Sequence, residues 1–339
     1  MSVDTKTQAG AEQGVTQAQL YPWQQQPWDN LVSRSKNQNI PHGLLLTGHS
    51  GNGKYAFARN FAKYLLCVNK QQNSQPCNQC QPCDWFDNNA HPDMNEIFPQ
   101  GKAEVIKVDQ IRELCQKLSL TSHGSGYQIA IIYPAERMNV NAANSLLKSL
   151  EEPGRDTLFI LVSDHPGELP ATIRSRCQTI TMATPSFEGA SDWLQQQGIS
   201  GPQHIQSLLS IASGAPLAAL RIENEKYLEQ RAALIHELTE VISNQTQLVP
   251  TAEKWSKQDM NLVCQWLLSW VNDMIKMRFN LDQGCLRNLD VQKQLINLNN
   301  KLNLTLLFKV HDQLFLAQQS LNRSANRQML AESILLSWI

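Results

Sequence analysis

Neither sign of charge predominates in this chain: 29 Lys and Arg stand against 30 Asp and Glu, and charged residues make up only 17% of the total. A net charge of −1 excludes binding to nucleic acid through overall charge, so any DNA contact needs a local patch or a partner. Long apolar runs are missing as well. No stretch reaches the length of a transmembrane helix, and no membrane contact is expected. Residues 1–20 are rich in Gln, Thr, Ala and Gly and hold no apolar run, the pattern of a disordered tail rather than a signal peptide. The expected location is therefore cytoplasmic, where the eight cysteines are reduced thiols or metal ligands. At 339 residues the chain is long enough for two or three domains.

One further absence is local. Gly48-His49-Ser50-Gly51-Asn52-Gly53-Lys54-Tyr55 fits the phosphate-binding pattern G-x-x-x-x-G-K but lacks the Ser or Thr that should follow the lysine. In that pattern Gly48, Gly51 and Gly53 let backbone N–H groups wrap phosphates, Lys54 reaches the β and γ oxygens, and the missing hydroxyl holds Mg²⁺. The phenol of Tyr55 cannot hold a metal from there, and its ring is expected where metal and water belong. The context supports a P-loop: Gly43-Leu44-Leu45-Leu46-Thr47 reads as a buried parallel strand, and Phe57, Phe61, Leu65 and Leu66 give the following segment a helical period. Strand, glycine turn and helix N-terminus come in the order anion binding requires. The plainer alternative is a glycine turn with no ligand.

Four cysteines fall between positions 67 and 83. Cys77-Asn78-Gln79-Cys80-Gln81-Pro82-Cys83 contains two overlapping C-x-x-C units, and Cys67, at the end of the helix after the P-loop, supplies a fourth thiolate. Four soft ligands at this spacing point to structural zinc with no open position for catalysis. The polar segment Val68 to Pro76 has no core of its own, so metal is expected to hold the insertion together. A disulfide is disfavoured by the compartment, and an iron–sulfur cluster by the missing further Cys before a Pro. His91 is nearby but surplus to four sulfurs, so it is expected to be a hydrogen-bonded loop residue. Cys115, Cys264 and Cys285 lie in apolar helical patterns and read as buried thiols.

Downstream, Val108, Ile111, Leu114, Cys115 and Leu118 recur at helical spacing. A turn at His123-Gly124-Ser125-Gly126 leads to the strand-like Tyr127 to Ile132. A helix bearing Ala143, Leu146, Leu147 and Leu150 then precedes a second buried strand, Thr157 to Val162. Alternating strands and helices imply an α/β domain with a parallel sheet covered on both faces. In a P-loop ATPase the strand ending at Ile132 would deliver two carboxylates, one for metal and one to polarise the attacking water. Tyr133 and Pro134 occupy those positions. Glu136 comes two residues too late and reads as a solvated or capping side chain.

Asn144-Ser145-Leu146-Leu147-Lys148-Ser149-Leu150-Glu151-Glu152-Pro153, then Phe159 to Ser163, then Leu169-Pro170-Ala171-Thr172-Ile173-Arg174-Ser175-Arg176-Cys177 resemble the clamp-loader branch of the AAA+ ATPases, with Ser-Arg-Cys the most specific mark. The cysteine insertion after the P-loop helix is similar to that of bacterial loader subunits, and Tyr21-Pro22-Trp23 adds to the likeness. The resemblance runs from about Tyr21 through Leu220. It implies that Arg176 is an arginine finger, reaching in trans to the γ-phosphate bound by a neighbouring ATPase subunit. It also implies a phosphate-sensing Arg in the second domain, where Gly214-Ala215-Pro216-Leu217-Ala218-Ala219-Leu220 carries Leu217 instead. No ATP hydrolysis by this chain is expected.

Thr184-Pro185-Ser186 marks a hinge. Helical segments over 187–197, 202–212 and 217–222 read as a lid, and 223–339 reads as all-helical, with apolar stripes at Leu262, Trp266, Leu267, Trp270, Met274 and Met277 and at Leu304, Leu307, Phe308, Val310 and Phe315. The expected domains are thus a P-loop domain over 21–184 with the zinc insertion at 67–83, a helical lid over 185–222 and a helical collar over 223–339. The resemblance implies a hetero-pentameric ring with ATPase subunits and an opening wrench subunit. That ring would load a sliding clamp onto primed DNA during DNA replication, as part of a DNA polymerase holoenzyme. The alternative is an active AAA+ ATPase of recombination or repair, against which three altered site positions and the near-neutral charge weigh.

Overall fold

The structure, a computed structural model, describes residues 20–101, 104–119, 126–154, 156–279, 286–321 and 326–339. The tail expected over 1–20 lies almost wholly outside these residues, as do His123, Gly124, Ser125 and Cys285. The described residues divide into two compact units, one ending at Pro185 and the other running from Ser186 to Ile339.

Five parallel strands form the first unit's sheet: β1 (Gly43–Thr47), β2 (Met94–Ile97), β3 (Gln128–Ile132), β4 (Thr157–Ser163) and β5 (Gln178–Thr181), in the order β2-β3-β4-β1-β5. Leu45 of β1 sits in register with Leu161 of β4 and Thr179 of β5, which places the strand carrying the P-loop inside the sheet. β1, β3 and β4 are buried throughout, as their unbroken apolar runs require. Alternate residues divide between two cores. Leu44, Leu46, Ile129, Ile131, Ile160 and Val162 pack with α1 (Gln25–Lys36) and α2 (Lys54–Leu66). Leu45, Ala130, Ile132, Phe159 and Leu161 pack with α4 (Val108–Leu118) and α5 (Val140–Glu151). The short α3 (Gln81–Asp87) belongs to the cysteine insertion, and α6 (Ala171–Arg174) precedes β5. The expected α/β sheet with helices on both faces is the observed one.

The second unit is helical throughout its described residues: α7 (Phe187–Gln196), α8 (Pro202–Ile211), α9 (Pro216–Asn224), α10 (Tyr227–Ile242), α11 (Leu248–Ser256), α12 (Met260–Arg278), α13 (Gln292–Lys301), α14 (Leu304–Leu321) and α15 (Arg327–Leu336). α7, α8 and α9 pack on one another, α12 packs along α14, and α11 along α15. Arg231 of α10 is fully buried and donates to both Asp290 oxygens at 2.8 and 3.0 Å and to Asn288 Oδ1 at 2.7 Å. Its charge is thereby paired and hydrogen-bonded, the condition under which a buried ion is tolerated. The stripe on α12 is buried at Trp266, Leu267, Trp270 and Met274 and half-buried at Leu262 and Met277.

The stripe expected on α14 needs correction. Leu307, Val310, Leu314 and Ala317 face inward, whereas Phe308 and Phe315 are about half exposed, at 47% and 53%. Residues 307, 310, 314 and 317 trace one helical face, and 308 and 315 lie one residue, about 100°, away from it. No single helix among the described residues is long and apolar enough to cross a membrane.

Candidate functional site

The glycine loop 48–53 lies between the C-terminal end of β1 and the first turn of α2. Gly48 and Gly53 have φ of 140° and 76°, and both are hemmed in: an added Cβ would lie 2.5 Å from the Met182 carbonyl oxygen at Gly48 and 2.8 Å from the Tyr21 ring at Gly53. No residue larger than glycine fits there without movement. Residues 21–24 lie against the loop. Trp23 Nε1 donates to the Asn52 carbonyl at 3.0 Å, and Gln24 Nε2 donates to the carbonyls of Asn52 and Gly53, both at 2.9 Å.

Lys54 turns back into its own loop. Its ammonium donates to the carbonyls of Gly48 at 2.9 Å and His49 at 2.8 Å and pairs with Asp164 Oδ1 at 2.5 Å. Asp164 is held from behind, since Glu136 Oε1 accepts from its backbone N–H at 3.1 Å and from that of His165 at 3.2 Å. Glu136 therefore caps the loop after β4. The sequence does not single out Asp164, 110 positions from Lys54. The available signal was its place directly after a buried strand that neighbours β1, since loops at the carboxyl ends of parallel strands gather at one edge of the sheet.

The two residues that replace metal ligands meet each other. The Tyr55 ring stacks on Tyr133 with centroids 5.1 Å apart and planes 14° apart, and its edge meets Phe98 at 5.7 Å. Its hydroxyl donates to Glu96 Oε1 at 2.9 Å. Burial, followed by the adjacent Glu96 charge, raises the Tyr55 phenol far above its ordinary value, so it remains a neutral donor. The ring lies at the end of β3, against the residue that stands in a metal ligand's position, and forms an aromatic cluster with Tyr133 and Phe98.

The four cysteines converge. Cys67 ends α2, Cys80 caps α3 and Cys83 lies within it, and all four sulfurs are within 4.8 Å of one another. The sulfur of Cys67 is 3.5 Å from that of Cys77 and 3.9 Å from that of Cys80, and Cys77 is 4.0 Å from Cys83. A disulfide needs about 2.05 Å, whereas metal–sulfur bonds of about 2.3 Å in a tetrahedron put sulfurs about 3.8 Å apart. These residues could hold one metal ion. The backbone N–H of Gln79, followed by that of Cys80, lowers the Cys77 thiol to about 6, in favour of the thiolate. Lys63 pairs with Asp87 at 2.7 Å and ties α2 to α3 beside the cluster. His91 stays outside it, accepting from the Asp93 N–H at 3.2 Å on Nδ1. Cys264 is buried as expected, but Cys115 is only half-buried and accepts from the Ser149 hydroxyl at 3.2 Å.

Arg176 stands between α6 and β5 with 34% of its side chain exposed. Glu151, the last residue of α5, takes its Nε at 2.7 Å and also pairs with Nη2, and Nη1 donates to the Thr172 carbonyl at 3.0 Å. Cys177 beside it is buried, which raises its thiol to about 11, and its sulfur lies 3.2 Å from where a Cβ on Gly43 would be. Leu217, in the second unit, is half-buried on α9.

Residues 23–186 match the family described as DNA polymerase III, delta subunit, and residues 225–339 match its C-terminal counterpart. The chain is similar to DNA polymerase III subunit delta' of Pseudomonas aeruginosa, at 32% identity over 324 residues, covering 95% of this chain and 98% of the relative. The subunit of that name from Escherichia coli is 28% identical over 319 residues, 93% of this chain and 94% of the relative. Among solved structures, a DNA polymerase III gamma subunit-related protein of Thermotoga maritima covers 90% of this chain and 97% of its own at 18% identity. The TM-score of that pair is 0.43.

Proposed function

The chain belongs to the family of DNA polymerase III delta-prime subunits, and from that premise we propose that it is a non-hydrolysing subunit of the replicative clamp loader. In this reading it assembles with ATPase subunits and a clamp-opening subunit in a five-membered ring that loads the sliding clamp onto primed DNA in the cytoplasm. Residues 21–184 serve as the P-loop-type domain, 185–222 as a lid and 223–339 as the ring-forming collar. Arg176 is the finger given to a neighbour's γ-phosphate, and the ion held by Cys67, Cys77, Cys80 and Cys83 is structural zinc.

The observation that carries the reading is the Tyr55–Tyr133 stack. Two positions that would hold Mg²⁺ are spent on packing, and Pro134 stands where the water-polarising carboxylate would be, while Arg176 stays at the surface. The exposed Phe308, Phe315 and Leu316 of α14 favour a further partner for the helical unit. The test is ATP turnover by the isolated chain, set beside its effect on added loader ATPase subunits with clamp and primed DNA. No turnover alone and stimulation in the complex are expected. Turnover by the isolated chain that Lys54→Ala abolishes would instead favour an active ATPase of recombination or repair. For the metal, the purified chain should carry about one zinc on four thiolates. A brown chromophore or sub-stoichiometric zinc would overturn that assignment, and Cys80→Ala should release the metal and loosen 67–83.

A further inference from the structure

An ammonium group has three hydrogens to give. Those of Lys54 meet three acceptors: the carbonyls of Gly48 and His49 and the carboxylate of Asp164. The side chain is 2% exposed and that of Asp164 13%, so the pair is largely withdrawn from solvent. In a nucleotide-loaded P-loop the lysine spends its hydrogens on β and γ oxygens. Among the described residues, the anion it meets is the Asp164 carboxylate. Glu136 accepts from the Asp164 backbone N–H and so fixes where that carboxylate stands. Below the loop, Trp23 and Gln24 hold the carbonyls of Asn52 and Gly53.

We propose that Asp164 latches this P-loop shut, and that with the latch removed the loop becomes a binding site for the polyphosphate of a nucleoside triphosphate, held by Lys54 without a metal ion. The lysine is then kept by the chain as the partner of Asp164, and the backbone of 48–53 is a phosphate cradle occupied from inside. Metal plays no part, because the Tyr55–Tyr133 stack fills the place of its ligands. The inference goes beyond the clamp-loader reading and holds or fails independently of it: hydrolysis by the isolated chain tests that reading, and binding without hydrolysis tests the latch.

The experiment is calorimetric titration of the full-length chain with ATP in EDTA. Wild type should show no binding up to millimolar ATP. Asp164→Asn, which keeps the side-chain shape and removes the charge, should bind about tenfold tighter or better, because the closed state no longer taxes the apparent affinity. Adding Lys54→Ala to that variant should abolish the gain. Micromolar binding by wild type would overturn the latch, as would a folded Asp164→Asn chain that gains nothing, or a double variant that keeps the gain. Hydrogen exchange of 48–54 in the wild-type chain supplies a reading that needs no variant. Millimolar ATP should leave it unchanged, and slowed exchange would show that the loop accepts ATP with Asp164 in place.

Discussion

Lys54 and Arg176 are two cations of the same unit with opposite surroundings. Lys54 is 2% exposed, with every ammonium hydrogen used inside the chain. Arg176 is 34% exposed and is held at the surface by the half-exposed Glu151 carboxylate and by the Thr172 carbonyl and Ser175 hydroxyl. The first arrangement builds a cation into the fold, and the second keeps one in place while leaving it within reach of a partner. Burial, rather than motif, separates the two: Lys54 lies inside the loop that its motif forms, and Arg176 lies at the surface.

The largest expected effect tests the buried side of the comparison. Lys54→Ala leaves the Asp164 carboxylate mostly buried without its partner, so urea unfolding should show a loss of about 3 kcal/mol, the range for breaking a buried pair by removing one member. In an open P-loop the same change would cost little stability, and an unchanged midpoint would erase the distinction. Next, Gly53→Ala combines a positive φ with a Cβ driven into the Tyr21 ring and should cost about 2 kcal/mol. Removing Tyr21 in the same chain should return part of that loss, measured as coupling in a double-variant cycle.

On the exposed side, Arg176→Ala should cost less than about 1 kcal/mol and leave metal content and ring assembly intact. Its effect should appear only in the assembled loader. One ATPase site slows, bulk hydrolysis falls in part, and clamp loading falls further. Wild-type rates for both, in a complex verified to contain the variant, would return Arg176 to an ordinary surface ion pair. The smallest effect belongs to Glu151→Gln, which should change stability by only a few tenths of a kcal/mol and should alter loader hydrolysis only when Arg176 is present.

Legibility followed burial. β1, β3 and β4 are fully buried, so each reads as a continuous apolar run, and each was recognisable within a residue at either end. β2 and β5 are edge strands, half-exposed along Met94-Asn95-Glu96-Ile97 and alternating in Gln178-Thr179-Ile180-Thr181. Their mixed composition gives no such run, and they were missed. The cysteines were legible because ligand spacing is a local property. The motif spacing shows Tyr55 and Tyr133 each in a metal ligand's position, but not their stacking, which depends on how α2 lies across the sheet. Asp164 is invisible as the partner of Lys54 for the same reason, whereas Glu136 reads as a solvated or capping side chain and caps the loop after β4. Phe308 and Phe315 show the converse error: apolar spacing along α14 admits two adjacent faces, and composition does not say which one faces the core.

β1 measures only about 13 Å from Gly43 to Thr47 at 3.3 Å per residue, yet it has the P-loop at one end and the Ser-Arg-Cys segment against the other. At Gly43 the Arg176 carbonyl and the Cys177 sulfur both lie 3.2 Å from the absent Cβ, and at Thr47 the chain passes directly into Gly48. The strand is a strut of fixed length, clamped between β4 and β5, with no slack at either end. A lengthwise slip would shift both ends together and turn each β1 side chain into the opposite core, so the spacing between the loop at Gly48 and the Arg176 segment is set by one rigid part.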